Sequence, residues 1–305
     1  MKPHIRILAG AFLLAAAQPV LAAIDIQFDY SYDSSNFLSG YGNRMSVLEA
    51  AASVFEMRFD DSLSAIVSSG SNNFNTIFFN PSDPYGADVT LSSTSVGAGV
   101  IRIYVGGANL GSGILGLGGP GGYSCSGVGN FCVDAESRGQ GTVTGASADD
   151  YALWGGAISF NSTSNWLFSD TPGAIGAGMA DFYSVAVHEL AHVLGFGTAD
   201  SFIRLAGGTS FTGANAMAVH GGAVPLDGDW AHWLDGTQSL VNGVVQEAAM
   251  TPTITLGTRK DFTDLDYAAM KDIGWQVAAV PEADTWTMLL AGLGLVGFVA
   301  WRRMA

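Results

Sequence analysis

Positive charge is scarce in this chain of 305 residues: Lys and Arg total 12 against 27 Asp and Glu, a formal net charge of −15. A nucleic-acid-binding surface wants clustered basic residues, so no nucleic-acid partner is expected. Cysteine is scarcer still, with only Cys125 and Cys132. No other Cys or His lies near the pair to complete a thiolate metal site. In an oxidising compartment the pair reads as one local disulfide pinning the glycine-rich loop Gly111 to Gly141. No repeat of fixed period runs through the sequence. Glycine is plentiful, with 41 residues, and beside abundant Ser, Asn and Thr it suggests a loop-rich extracellular domain.

Both ends carry addresses. Lys2 and Arg6, the apolar run Ile7 to Ala17 and Val20-Leu21-Ala22 make residues 1–22 a secretory signal peptide with a small-residue cleavage site. At the other end, Val280-Pro281-Glu282-Ala283 precedes an apolar segment from Trp286 to Trp301 that stops at Arg302-Arg303. Physically this is a short transmembrane helix with a positive cytoplasmic stop. Residues 280–305 resemble the PEP-CTERM sorting signal of Gram-negative bacteria, with Ala283 in place of the second proline. The resemblance implies an exosortase-like processing enzyme as partner and membrane contact through the C-terminal helix before processing. It also implies residence in the cell envelope, at the cell surface or in the extracellular matrix.

Between the addresses lie residues 23–279, enough for one large domain or two lobes sharing a cleft. Ile24 to Tyr30 alternates apolar and polar residues as a half-buried strand does. Ser46 to Ile66 places Val47, Leu48, Ala51, Val54, Phe55 and Phe59 at helical spacing. Strands are expected around Thr76 to Phe79, Val89 to Leu91 and Val100 to Val105, then at Ala157 to Phe160 and Asn165 to Phe168 across a polar turn. A helix begins near Asp181. Beyond Gly197 regular structure is sparse until Thr263-Asp-Leu-Asp266, a capped start to a short helix that ends at Gly274. The fold class expected is α/β (α+β): an N-terminal lobe over 23–197 with a mixed sheet and two long helices, and an irregular C-terminal lobe over 198–279 with one terminal helix.

The chemistry concentrates in His188-Glu-Leu-Ala-His-Val-Leu-Gly-Phe-Gly197. Positions i and i+4 share a helix face, so His188 and His192 present imidazoles to one ion. Glu189 projects beside that ion, where it can take a proton from water. Asp181 is the expected N-cap, Phe182, Val185, Leu190, Val193 and Leu194 the apolar surface, and Gly195 the stop. A catalytic zinc takes three protein ligands, so a third must come from elsewhere.

The run H-E-x-x-H-x-x-G resembles the metzincin zinc metallopeptidases, whose third histidine falls three residues after the glycine. That position here is Thr198, a poor zinc ligand. Leishmanolysin-like metzincins carry an insertion before the third histidine, followed by a methionine-containing turn. The matching pieces are His232 in Trp230-Ala-His-Trp233, Met250 in Ala248-Ala-Met-Thr-Pro252, and the terminal-helix sequence Asp261 to Trp275. The resemblance implies His188, His192 and His232 as Zn2+ ligands, Met250 as the turn methionine and Glu189 as general base. His220, Asp200 and Glu247 are the rival third ligands.

The function expected is an exported zinc-dependent endopeptidase acting on a protein or peptide substrate. Ala157 to Phe160 is the expected strand edge along which the substrate lies. Two alternatives stand beside it. One is a non-catalytic surface or extracellular-matrix protein with a degenerate metal site. The other is a polysaccharide-binding module using Trp154, Trp166, Trp230 and Trp233.

Overall fold

The computed structural model describes residues 24–171, 173–278 and 292–294. The expected signal peptide (1–22) lies outside the described residues, as does the expected transmembrane segment apart from 292–294. Among the described residues no helix is long and apolar enough to cross a membrane.

The chain runs through β1 (Asp25–Asp29), α1 (Gly42–Glu56), β2 (Asn73–Phe78), β3 (Val89–Leu91), β4 (Val100–Ala108), β5 (Gly116–Pro120), β6 (Gly122–Ser126), α2 (Phe131–Ser137), β7 (Gly155–Asn161) and α3 (Phe182–Val193). The main sheet has the order β1-β4-β7-β5. β1, β4 and β7 run parallel, and β5 closes the edge antiparallel to β7. Every residue of β7 is buried, as a strand covered on both faces requires. Ile101, Ile103, Val105, Ile158 and Phe160 turn to one face and join α1 and α3 in the larger core. Tyr104 and Ala157 turn to the other, meeting Phe74, Phe78 and Trp154 under the smaller sheet β3-β2-β6.

The mixed sheet with two covering helices therefore agrees with expectation, with four local corrections. Helix α1 ends at Glu56 rather than Ile66, because the following residues pair with the domain's last segment: Asp60 N–H donates to Gln276 O (2.9 Å) and Ala278 N–H to Arg58 O (2.7 Å). The stretch Gly111 to Gly141 is no plain loop, since it contains β5, β6 and α2. Its two cysteines do form the expected disulfide, Cys125–Cys132, tying β6 to α2. The strand expected over Asn165 to Phe168 is shorter, Trp166–Leu167, and pairs in parallel with Ala180–Asp181. The substrate-edge expectation also fails: Ala157 to Phe160 lies inside β7, hydrogen-bonded on both sides, and the sheet's edges are β1 and β5.

The C-terminal half holds more regular structure than its sequence suggests. Short helices α4 (Asp200–Leu205) and α5 (Ala214–His220) precede the terminal helix α6 (Asp264–Asp272), with a small three-stranded sheet and the hairpin Gln238–Val241/Val244–Glu247 between α4 and α6. Helices of six and seven residues are too short to show a period. They are held by tertiary packing, in which Phe196, Phe202, Phe211 and Trp233 form one aromatic chain with ring centroids 4.6 to 5.6 Å apart. Helix α6 has the expected capping box, Thr263 with Asp266.

Candidate metal centre

Helix α3 starts where Asp181 caps it, the side chain accepting from Ser184 N–H (3.3 Å). Arg259 grips the same carboxylate with Nε and Nη2 at 2.8 and 2.9 Å, so the helix N-terminus is clamped to the C-terminal half. Behind His192 the helix ends, and Gly195 takes φ +102°, a conformation that L side chains rarely adopt. Two residues on, Gly197 (φ +71°) passes so close to Ala231 that a Cβ would lie 2.5 Å from its carbonyl oxygen. That approach brings the 227–233 loop against the helix.

The loop delivers His232. The Nε2 atoms of His188, His192 and His232 converge, with separations of 3.0, 3.0 and 3.1 Å. Each ring's Nδ1 faces an acceptor: Ala249 O at 2.8 Å for His188, Phe196 O at 2.9 Å for His192, and Asp229 Oδ2 at 2.6 Å for His232. Those acceptors assign the proton of each neutral ring to Nδ1. Three bare lone pairs then point into one small space, which repels unless a cation fills it. Burial first, then the neighbouring imidazoles, holds His188 well below its ordinary value, and burial with His232 brings His192 down to about 4. Both rings are therefore neutral at pH 7, the form that binds metal. Zinc sits about 2.0–2.1 Å from an imidazole nitrogen, which sets tetrahedral ligands about 3.3 Å apart, so this triangle fits after an opening of a few tenths of an ångström. Among the described residues this is the one His/Cys/Asp/Glu group whose ligand atoms cluster so closely.

The rivals sit elsewhere. His220 is exposed at the end of α5, Asp200 accepts from Gly145 N–H (2.6 Å), and Glu247 pairs with Lys260 Nζ (2.9 Å). Thr198 turns its hydroxyl to His192 O (2.7 Å). Met250, fully buried, lies in the turn whose neighbouring Ala249 carbonyl receives His188.

Glu189 lines the same cleft as the three histidines and lies against β5. A Cβ on Gly116 would lie 2.5 Å from its Oε1, and one on Gly118 would lie 2.6 Å from its backbone carbonyl oxygen. Two glycines on one face of the edge strand thus make room for the carboxyl and the helix beneath. Burial pushes Glu189 up to about 8, with the Gly118 N–H opposing. A divalent cation nearby draws such a carboxyl back toward its ionised form. Above the histidines a cleft of 470 Å³ opens between Leu115 to Gly118 of the edge-strand region, Val185 and Glu189 of α3, and Thr251 to Ile254.

The sequence reading missed Asp229, Gly116 and Gly118. Asp229 was detectable as a carboxylate three residues before a loop histidine, and the glycines as alternating positions, but the glycine-rich composition masked the strand.

The PEP-CTERM protein-sorting motif matches residues 279–303. That segment is an export address. It implies recognition by an exosortase-like processing enzyme and export to the envelope or surface of a Gram-negative cell. No curated protein and no solved structure matches the chain.

Proposed function

We propose that this protein is an exported zinc-dependent endopeptidase of the metzincin type, leishmanolysin-like in taking its third histidine from beyond an insertion. The observation that carries the reading is the convergence of three imidazole Nε2 atoms beside a carboxyl, under the edge strand β5. His188, His192 and His232 would hold the zinc, which would supply Lewis acidity to a water and to a substrate carbonyl. The chain's own residues do the rest. An extended substrate adds to the free edge of β5, whose glycines let its backbone approach. Glu189 takes the proton of the attacking water and passes it to the departing amine. Asp229 holds the His232 ring in the tautomer that frees Nε2.

The non-catalytic alternative gives Glu189 no role, since a closed structural site needs four ligands and no base. The carbohydrate-binding alternative loses its platform. Trp154, Trp166 and Trp233 are buried, leaving Trp230 as the exposed one of the four. The test is Glu189→Gln beside His232→Ala in the purified protein. Glu189→Gln is expected to keep zinc and lose roughly 10²- to 10⁴-fold in casein cleavage, while His232→Ala weakens zinc itself. Undiminished cleavage in Glu189→Gln would sink the mechanism.

A further inference from the structure

We propose that Asp266, on α6 and outside the ligand set, is the positioning residue of the metal centre, holding two of the three histidines at once. The inference rests on the zinc reading above. Asp266 is fully buried. Its Oδ1 accepts from Trp233 Nε1 (2.8 Å) and, at 3.4 Å, from Met250 N–H. Its Oδ2 accepts from Ala249 N–H (2.9 Å), Thr263 N–H (2.9 Å) and Thr263 Oγ1 (2.7 Å).

A helix cap needs only the two Thr263 bonds. The other three reach the metal centre's supports. Ala249 is the residue whose carbonyl fixes His188 Nδ1, and Trp233 directly follows His232. Trp233 N–H also donates to Met250 O (2.9 Å), closing a ring of bonds around the carboxylate. Among the described residues no ion pair reaches Asp266. Its charge is met by N–H and O–H dipoles alone, an arrangement a nearby dication would favour further. The methionine turn is thereby fixed from its backbone side, with Met250 filling the core below.

Replacing the carboxylate by an amide puts an NH2 where one oxygen was. Either the Trp233 and Met250 donors or the Ala249 and Thr263 donors then face a donor and lose their acceptor. Asp266→Asn is expected to weaken metal binding 10- to 100-fold, the range for outer-shell partners. The full chain would be loaded with Co2+ as the probe, with affinity read by chelator competition and ligand geometry by the visible spectrum.

Trp233→Phe, which removes one donor with little change of volume, is the second variant should Asp266→Asn fail to fold. It is expected to weaken Co2+ binding and shift the spectrum in the same direction. Thr263→Ala removes a capping bond and is expected to lower Tm without altering the spectrum. Wild-type affinity and spectrum in both Asp266→Asn and Trp233→Phe would overturn the proposal. Failure of the unmutated protein to bind Co2+ would overturn the zinc reading and the proposal with it.

Discussion

At the scale of single residues, two positions are defined by what they leave empty or unmet. Gly116 leaves the space Glu189 occupies, and a methyl there would stand 2.5 Å from the carboxylate oxygen. The strand is backbone-paired and cannot retreat, so the carboxylate must shift. Gly116→Ala is expected to retain zinc and lose on the order of 10²-fold in turnover, the typical effect of a catalytic group misplaced by about 1 Å. Asp61 is the unmet one: fully buried, its Oδ1 has no partner, and burial raises its pKa to about 6 despite the Gln276 N–H. Below about pH 3.8 the carboxyl is neutral whether the chain is folded or not. As pH rises from there through 6, the folded state comes to hold a poorly solvated charge and stability is lost. Asp61→Asn is therefore expected to raise the urea midpoint relative to the parent more at pH 7 than at pH 4. An equal shift at both pH values would contradict this.

At the scale of elements, α3 is the part of the site that local sequence specifies most completely. Its cap, apolar face, histidine pair and glycine stop are all consecutive, and each appears where its residue type demands. The terminal helix with its Thr263–Asp266 box was legible for the same reason. β5 was not, because Gly116-Leu-Gly-Gly-Pro120 lacks strand-forming side chains and is held by pairing with β7. The second roles of Asp181 and Asp266 were also hidden, since both depend on partners distant in sequence. Asp181 shows the energetic consequence. Its fully buried carboxylate is paired with Arg259, and removing one partner of such a pair costs roughly 3–5 kcal/mol. Arg259→Leu is expected to lower stability by about that amount, read as a shift of the denaturant midpoint, and to loosen the start of α3.

At the scale of the whole molecule, one sheet organises the candidate site: β5 forms its edge, and the helix beneath carries His188, Glu189 and His192. The C-terminal half closes the site from below with His232, the Met250 turn and Asp266, tied in by an aromatic chain no periodicity announces. Gln276 and Ala278 return to pair with Asp60 and Arg58, immediately before the sorting motif begins at residue 279. The body that would be exported is thus folded up to the boundary of its address. The most direct test of the account is a single comparison of casein cleavage by the purified protein as isolated, after zinc is stripped by a chelator, and after one equivalent of zinc is restored. The account predicts cleavage, its loss, and its return. A zinc-loaded, correctly folded protein that leaves casein and unfolded chains intact would contradict it.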